Sequence, residues 1–528
     1  MATASEQSRF ASIFAAGTLL SRVLGLVRDQ VWAFFMPKAS LDAFLIAFKF
    51  PNMLREIVGE GASNAAFVPI FTESHAKESN EEFQRLVSAV LSAMIILLAV
   101  LTIAGIIFLP ALLQSLGALD AVTGQEAPSA ERISQIISIS QWTFPYLFFI
   151  CLAVFLMAPL FTLKHYSTPS WSPALLNVAF IGSCLIFRNS FDEPAYALVL
   201  GAWIGGIAQL AVQYAAVVRI SGVRYPNFQL MHPGIRRVFY LIIPVLIGQS
   251  AGEVNRLVDT LFAASLPEAG TVTSLFYANR LIQLPLSIFA VATSVAMLPT
   301  LSRLHATKKH NEMTETIQQG MRHSFFFIMP AIIGLFLLGE PIIALLFERG
   351  EFTPADTART ATALSYYVFG LLAFAWVKVV VTGFYGAQDT RTPVLIASGA
   401  MLLNIALNIA LIGPLGFKGL ALSTTISYSI NCFGLIAILN TRNPGLIDKE
   451  LIEGVLRILG AALFMGVVTL GVYRFSVSWW PEPTLLHRTG VVLIPIAASC
   501  LAYGIFAKGF QVKEYDHFLE GLRNRTKR

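Results

Sequence analysis

The chain sets charged side chains, at helical spacing, into stretches that are otherwise apolar. At about 100° per residue, Thr18, Ser21, Arg22, Gly25, Arg28 and Asp29 share one arc about 120° wide. Asp42, Lys49, Asn52, Glu56, Glu60 and Ser63 share another of about 80°, with Arg55 at its edge and Pro51 placed to kink the helix. In the second half, Gln249, Gly252, Glu253, Arg256 and Asp259 align on one face, and Asn279, Arg280, Gln283, Ser287 and Ser294 on another. A charge at the centre of a bilayer costs roughly 2.5–3.5 kcal/mol even on the lenient insertion scale, so these side chains must line water or pair with one another. Arginine's planar fork matches phosphate oxygens in bidentate fashion, and the excess of arginine on these stripes points to an anionic ligand. The competing reading is a set of helix-locking ion pairs, Arg28 with the acids around it or Arg256 with Glu253 and Asp259. Lys378, alone in its apolar stretch, fits snorkelling or a local pair.

Other chemistries find no support. There is no H-E-x-x-H, no G-x-x-x-x-G-K-[ST] and no G-x-S-x-G, and no nucleophile stands at credible spacing from a base. Cys151, Cys184, Cys432 and Cys500 each sit alone in apolar sequence, as core residues do. The expectation is a transporter and not an enzyme, with no metal and no cofactor. A coupling ion or the membrane potential remains the energy source to identify; a charge crossing the full potential is worth about 2.3 kcal/mol per 100 mV.

The elements that must position these residues are membrane spans. The 528 residues are 55% hydrophobic and 13% charged, against roughly 25% charged in a soluble domain. Apolar stretches of about 20 residues, enough to cross the hydrocarbon as helix, recur from end to end. Breaks between them place fourteen spans, near 10–36, 41–71, 84–115, 133–164, 171–188, 194–219, 236–265, 270–301, 322–347, 357–387, 392–413, 417–440, 451–475 and 486–508. The fold class is therefore all-α and polytopic. Met1 to Ser21 lacks the pattern of a cleavable leader. Lys77, Arg85, Lys164, Arg219, Arg236, Arg237, Arg303, Lys308, Lys309, Arg391 and Arg442 fall in alternate loops on one side, together with both termini. The positive-inside rule makes that side cytoplasmic. The net charge of +6 follows from this bias and forms no stripe for nucleic acid.

A weak internal echo, for which chance is the alternative reading, suggests a repeat. Phe67-Val-Pro-Ile-Phe71 closes the second span as Met297-Leu-Pro-Thr-Leu301 closes the eighth, and Tyr166-Ser-Thr-Pro169 with Leu176-Asn177 echoes Thr390-Arg-Thr-Pro393 with Leu403-Asn404. Six spans per repeat make two parallel lobes, residues 1–222 and 223–445, with a substrate site expected between such lobes. Residues 446–528 add two spans and a basic tail.

Three stretches carry a family resemblance: Gly17-Thr-Leu-Leu-Ser21-Arg22-Val-Leu-Gly25-Leu-Val-Arg28-Asp29; Asp42-Ala-Phe with Phe48-Lys49-Phe-Pro51-Asn52-Met-Leu-Arg55; and Gly59-Glu60-Gly61-Ala62 running to Phe67-Val-Pro69. With Tyr277-Ala-Asn-Arg280 and Asp389-Thr-Arg391-Thr392-Pro393, these resemble the MurJ (MviN) family of lipid II flippases, in the multidrug/oligosaccharidyl-lipid/polysaccharide exporter (MOP) superfamily. The resemblance implies two six-helix lobes around a central cavity and two further helices that help form a groove for a polyprenyl tail. It implies a bacterial inner-membrane protein that flips the undecaprenyl-diphosphate-linked peptidoglycan precursor, within the phospholipid bilayer and in the service of the cell-wall synthesis machinery. It maps the diphosphate-binding arginines onto Arg22, Arg28, Arg55 and Arg280, with Asp42 and Glu60 as matching acids. Ser21, Asp29, Lys49, Glu253, Arg256 and Asp259 complete the expected polar lining. Glu56 and Asn279 depart from the family pattern, which often has a basic residue at the first and Asp at the second. The rival expectations are a flippase for O-antigen or capsule lipids and a non-transporting cell-wall scaffold.

Overall fold

The structure, a computed structural model, describes residues 4–61, 66–115, 128–223, 225–229, 231–479 and 484–526. Among these residues, eleven helices are long and apolar enough to cross a bilayer, from Asn80–Gln114 to Leu485–Gly509. Three further helical stretches complete the fourteen spans expected: Ala4–Phe35, Pro233–Ala264, and Lys38–Leu54 with its continuation Arg55–Gly61. These are the first, seventh and second spans. The faces that carry no stripe are apolar and uncovered, as Val100, Ile103, Ile107 and Phe108 are on the third span, which is what contact with lipid tails requires.

Two spans change helical register at a proline. Pro51 can donate no backbone hydrogen bond and its ring crowds the preceding turn, and the ladder widens into a π-helix over Arg55–Gly61. The eighth span does the same: Thr271–Pro285 ends at its proline and continues as the π-helical Leu286–Val291 before Ala292–Ala306. Both π turns follow a proline within a span, one in the second and one in the eighth.

By packing, the chain divides into unit 1, Met1–Thr273 with Arg349–Phe352, and unit 2, Ser274–Glu348 with Thr353–Arg528. The seventh span therefore packs with the first six, and the packing boundary falls later than the repeat boundary at residue 222. In unit 1 the first span lies along the fifth, Pro173–Phe187, and the second against Ala130–Thr143, the opening half of the fourth. Trp32, Phe44 and Phe180 meet edge to face at their junction, with centroids 5.1–5.8 Å apart. Gly350 closes against the end of the first span at φ +58°; a Cβ there would stand 2.1 Å from the Phe34 carbonyl oxygen. The next backbone N–H, of Glu351, donates to that oxygen at 3.1 Å.

In unit 2, Leu301, Ile317, Met321, Val379, Phe384 and Leu439 form one core. A second core joins the ninth span to the last two through Phe325, Phe326, Ile458, Met465 and Tyr503, whose hydroxyl donates to the Phe326 carbonyl at 2.7 Å. The ninth span starts at His310, earlier than the apolar run from 322 suggests, because Met313, Ile317 and Gln318 of the added turns are buried. Gln318 donates to the Gly445 and Leu446 carbonyls at 2.9 and 3.1 Å. The basic tail folds as a helix, Lys513–Thr526, tied down by Lys513 to Glu450 at 2.8 Å and Arg322 to Glu514 at 3.1 Å.

Asp389 organises the loop between the tenth and eleventh spans. Its carboxylate accepts from the Thr392 hydroxyl at 2.6 Å, from the Arg391 and Thr392 backbone N–H groups at 3.0 Å each, and from Arg442. The Thr392 bonds first, and Arg442 after them, hold this carboxyl below the usual carboxylate range. A lowered folded value means that its stabilisation is present at neutral pH and is lost as pH falls from about 4 through the folded value. Asp389→Asn is therefore expected to lower the unfolding temperature in detergent at pH 7, with the gap to wild type closing below about pH 4. A gap that persists unchanged into acid would rule out the carboxylate as its source.

Candidate functional site

The first span delivers one charged cluster. Asp29 is fully buried, and Arg28 holds its Oδ1 with two nitrogens, Nε at 3.0 Å and Nη2 at 2.6 Å. The third nitrogen of Arg28, Nη1, donates to Asn177 Oδ1 of the fifth span at 3.1 Å. Asn177 Nδ2 in turn donates to the Ser21 carbonyl at 3.1 Å. The guanidinium also lies 4.6 Å over the Trp32 ring and 5.8 Å from that of Phe180. Every side of Arg28 is thus fixed. Arg22, two turns earlier, is exposed.

The second and seventh spans build the other cluster. Arg256 reaches Glu56 Oε2 with Nη1 at 3.2 Å and Glu253 Oε1 with Nη2 at 2.8 Å. Asn52 joins the group by donating to Glu56 Oε1 at 2.8 Å and accepting from Arg55 Nε at 3.1 Å. Lys49 is close enough to Arg256, Glu253, Glu56 and Asp259 for each to act on it electrostatically. The π turn at Arg55 carries the two oppositely charged neighbours of this group, Arg55 and Glu56, as its first residues.

Asp42 stands apart from both. It is fully buried, and its oxygens accept from the Gly270 N–H at 2.7 Å, the Thr273 N–H at 2.8 Å and the Thr273 hydroxyl at 2.7 Å, with Arg132 Nη2 at 3.6 Å. An acid at the first turn of a helix meets unpaired N–H groups and the positive end of the dipole, so Asp42 caps the start of the eighth span. Arg280 is partly buried on that span within unit 2, where Gln283 donates to its neighbour Asn279 at 3.4 Å. The side chain of Glu60 lies outside the described residues.

The structure thus joins Ser21, Arg28 and Asp29 in one group and Lys49, Arg55, Glu253, Arg256 and Asp259 in another. Asn177 and Arg132 are the site neighbours that sequence reasoning passed over. Asn177 was visible only as half of a Leu-Asn echo with Leu403-Asn404, and Arg132 lay at the edge of an apolar run, where a loop arginine is unremarkable.

Long apolar helices carrying paired charges define a polytopic α-helical membrane protein. The chain matches a structure described as an inward-facing conformation of a multidrug resistance MATE family transporter of the MOP superfamily, with TM-score 0.64 over 83% of this chain and 98% of that one; at 15% identity, the likeness concerns the fold. Residues 33–488 match the family model for lipid II flippase MurJ, and the chain belongs to that family. A Vibrio cholerae relative named as a probable lipid II flippase MurJ is 33% identical over 92% of this chain and 93% of its own length. A solved lipid II flippase MurJ in an inward-closed conformation matches with TM-score 0.75 at 26% identity, over 94% of this chain and 98% of that one.

Proposed function

We propose that this protein moves lipid II, the undecaprenyl-diphosphate-linked disaccharide peptide, from the cytoplasmic to the outer leaflet by alternating access, with both termini in the cytoplasm. The observation that carries the reading is the concentration of arginine on the first two spans of a chain with this family membership. Arg22, Arg55 and Arg280 are the groups that take the diphosphate. Arg28, with all three nitrogens engaged, shapes the field around them and reaches a phosphate by releasing Asn177, its partner outside the first span. The polyprenyl tail stays in the bilayer while the headgroup crosses, and the membrane potential or a coupled ion resets the empty carrier. Cell-wall synthesis machinery is the consumer of the delivered headgroup.

The test is complementation. Expressed in bacteria depleted of their own lipid II flippase, the chain restores growth and the delivery of headgroup to the outer leaflet. No rescue, with the protein folded and at normal abundance in the membrane, would instead favour another polyprenyl-linked saccharide as cargo.

A further inference from the structure

Glu56 sits where an anion would be expected to bind. Around its two oxygens stand Arg256 Nη1 at 3.2 Å, Arg55 Nη2 at 3.8 Å and Asn52 Nδ2 at 2.8 Å, and Lys49 adds a third positive charge within electrostatic range. Two guanidinium groups and an amide donor around one carboxylate, with an ammonium in range and Glu253 as the neighbouring acid, are donors of the kind that a phosphate group receives from a protein. The cluster is not sealed by protein: the side chains of Arg256 and Glu56 keep 51% and 27% of their exposure. Arg256 has a second anchor besides this carboxylate. Glu253, whose side chain is only 9% exposed, sits one turn before Arg256 on the seventh span and holds its Nη2 at 2.8 Å. Arg256 therefore keeps its aim when Glu56 leaves, and Asp259 remains as the acid opposite Lys49.

We propose that Lys49, Arg55 and Arg256, with Asn52, form a phosphate-binding site whose resting occupant is the tethered Glu56 carboxylate, and that a lipid-linked diphosphate enters by displacing it. This rests on the flippase reading for the identity of the lipid. It adds Arg256 and Asn52 to the groups that touch the diphosphate, and it makes Glu56 an internal competitor and not a partner of the substrate. A diphosphate brings more charge and more acceptor oxygens than one carboxylate. The tether keeps Glu56 at hand to refill the site, so the cations are never left uncompensated in the membrane when the substrate departs.

The experiment measures binding of undecaprenyl diphosphate and of inorganic pyrophosphate to the purified full-length protein in lipid nanodiscs. Glu56→Gln is expected to tighten both by about tenfold, roughly 1.4 kcal/mol, and Arg256→Gln to weaken both by a similar factor. Glu56→Gln introduced into the Arg256→Gln background should gain less than threefold, because the two residues act on one site. Glu56→Asp, which withdraws the carboxylate by one methylene, should tighten binding in the same direction by less, and keeps the question open to measurement if the glutamine variant folds poorly. Unchanged or weaker binding in both Glu56 variants, at wild-type unfolding temperature, would overturn the proposal and leave the bridge a structural lock. Tightening for pyrophosphate alone would assign the site to a free anion and overturn its part in lipid transport. Failure of the flippase reading looks different: the chain then does not rescue flippase-depleted cells, whatever the Glu56 variants do to binding.

Discussion

Arg28→Ala is expected to abolish rescue of flippase-depleted cells and to lower the stability of the purified protein by about 3–5 kcal/mol, the usual cost of stranding one member of a buried ion pair. The member stranded is Asp29, fully buried and held by two nitrogens of Arg28. Asn177 loses a donor in the same step, and with it the bridge between the first and fifth spans. Arg28→Lys keeps the charge but has no fork to serve Asp29 and Asn177 together, so it should recover part of the stability and little of the transport. Unfolding temperature in detergent and abundance in the membrane separate the two losses. An alanine variant as stable as wild type but inactive would assign Arg28 to the substrate alone, and one that supports growth would remove it from both roles.

The second large effect is expected at Asp42. Alanine there leaves the Gly270 and Thr273 N–H groups and the Thr273 hydroxyl without their acceptor, and Arg132 without its counter-charge. At roughly 1–3 kcal/mol for each buried group left unsatisfied, with partial relaxation, the loss should be about 3 kcal/mol or more. Asp42→Asn retains one acceptor oxygen and should cost less than half as much. The comparison of the two variants by thermal unfolding is decisive: equal losses would mean that shape, and not hydrogen bonding, is what the site needs. A wild-type unfolding temperature in both would show that the cap contributes nothing.

The spans were legible in sequence because lipid imposes a simple rule, long apolar runs, and among the described residues most are helical within a few residues of where the runs place them. The ninth departs because the turns from His310 bury their apolar side against protein, and their polar face breaks the run. The charged stripes were equally plain on the helical wheel, but their partners were not. Arg28 meets Asn177 across 149 residues and Asp42 meets Thr273 across 231, and periodicity within one helix carries no information about the helix opposite. Pro51 announced a kink, while the π-helical form of its relief depends on hydrogen-bond register, which side-chain pattern does not encode. The wheel also treated all polar residues of a stripe as equals. Asp42 shared an arc with Lys49 and Glu56, yet it caps a helix while they join an ion cluster, because Lys49 stands about two turns further along the helix and Glu56 lies beyond Pro51, each beside different neighbours.

The polarity of the first two spans bears on how the chain enters the membrane during synthesis. Arg28 and Asp29 are adjacent, so the first span can pass into lipid as a neutral pair before anything else has been made. Asp42 has Lys38 one turn before it in its own helix, but the groups that hold its oxygens lie on other spans. Its counter-charge, Arg132, arrives with the fourth span, and its hydrogen-bond donors only when the eighth begins. The donors and the counter-charge of Asp42 thus become available in the order in which the spans are made.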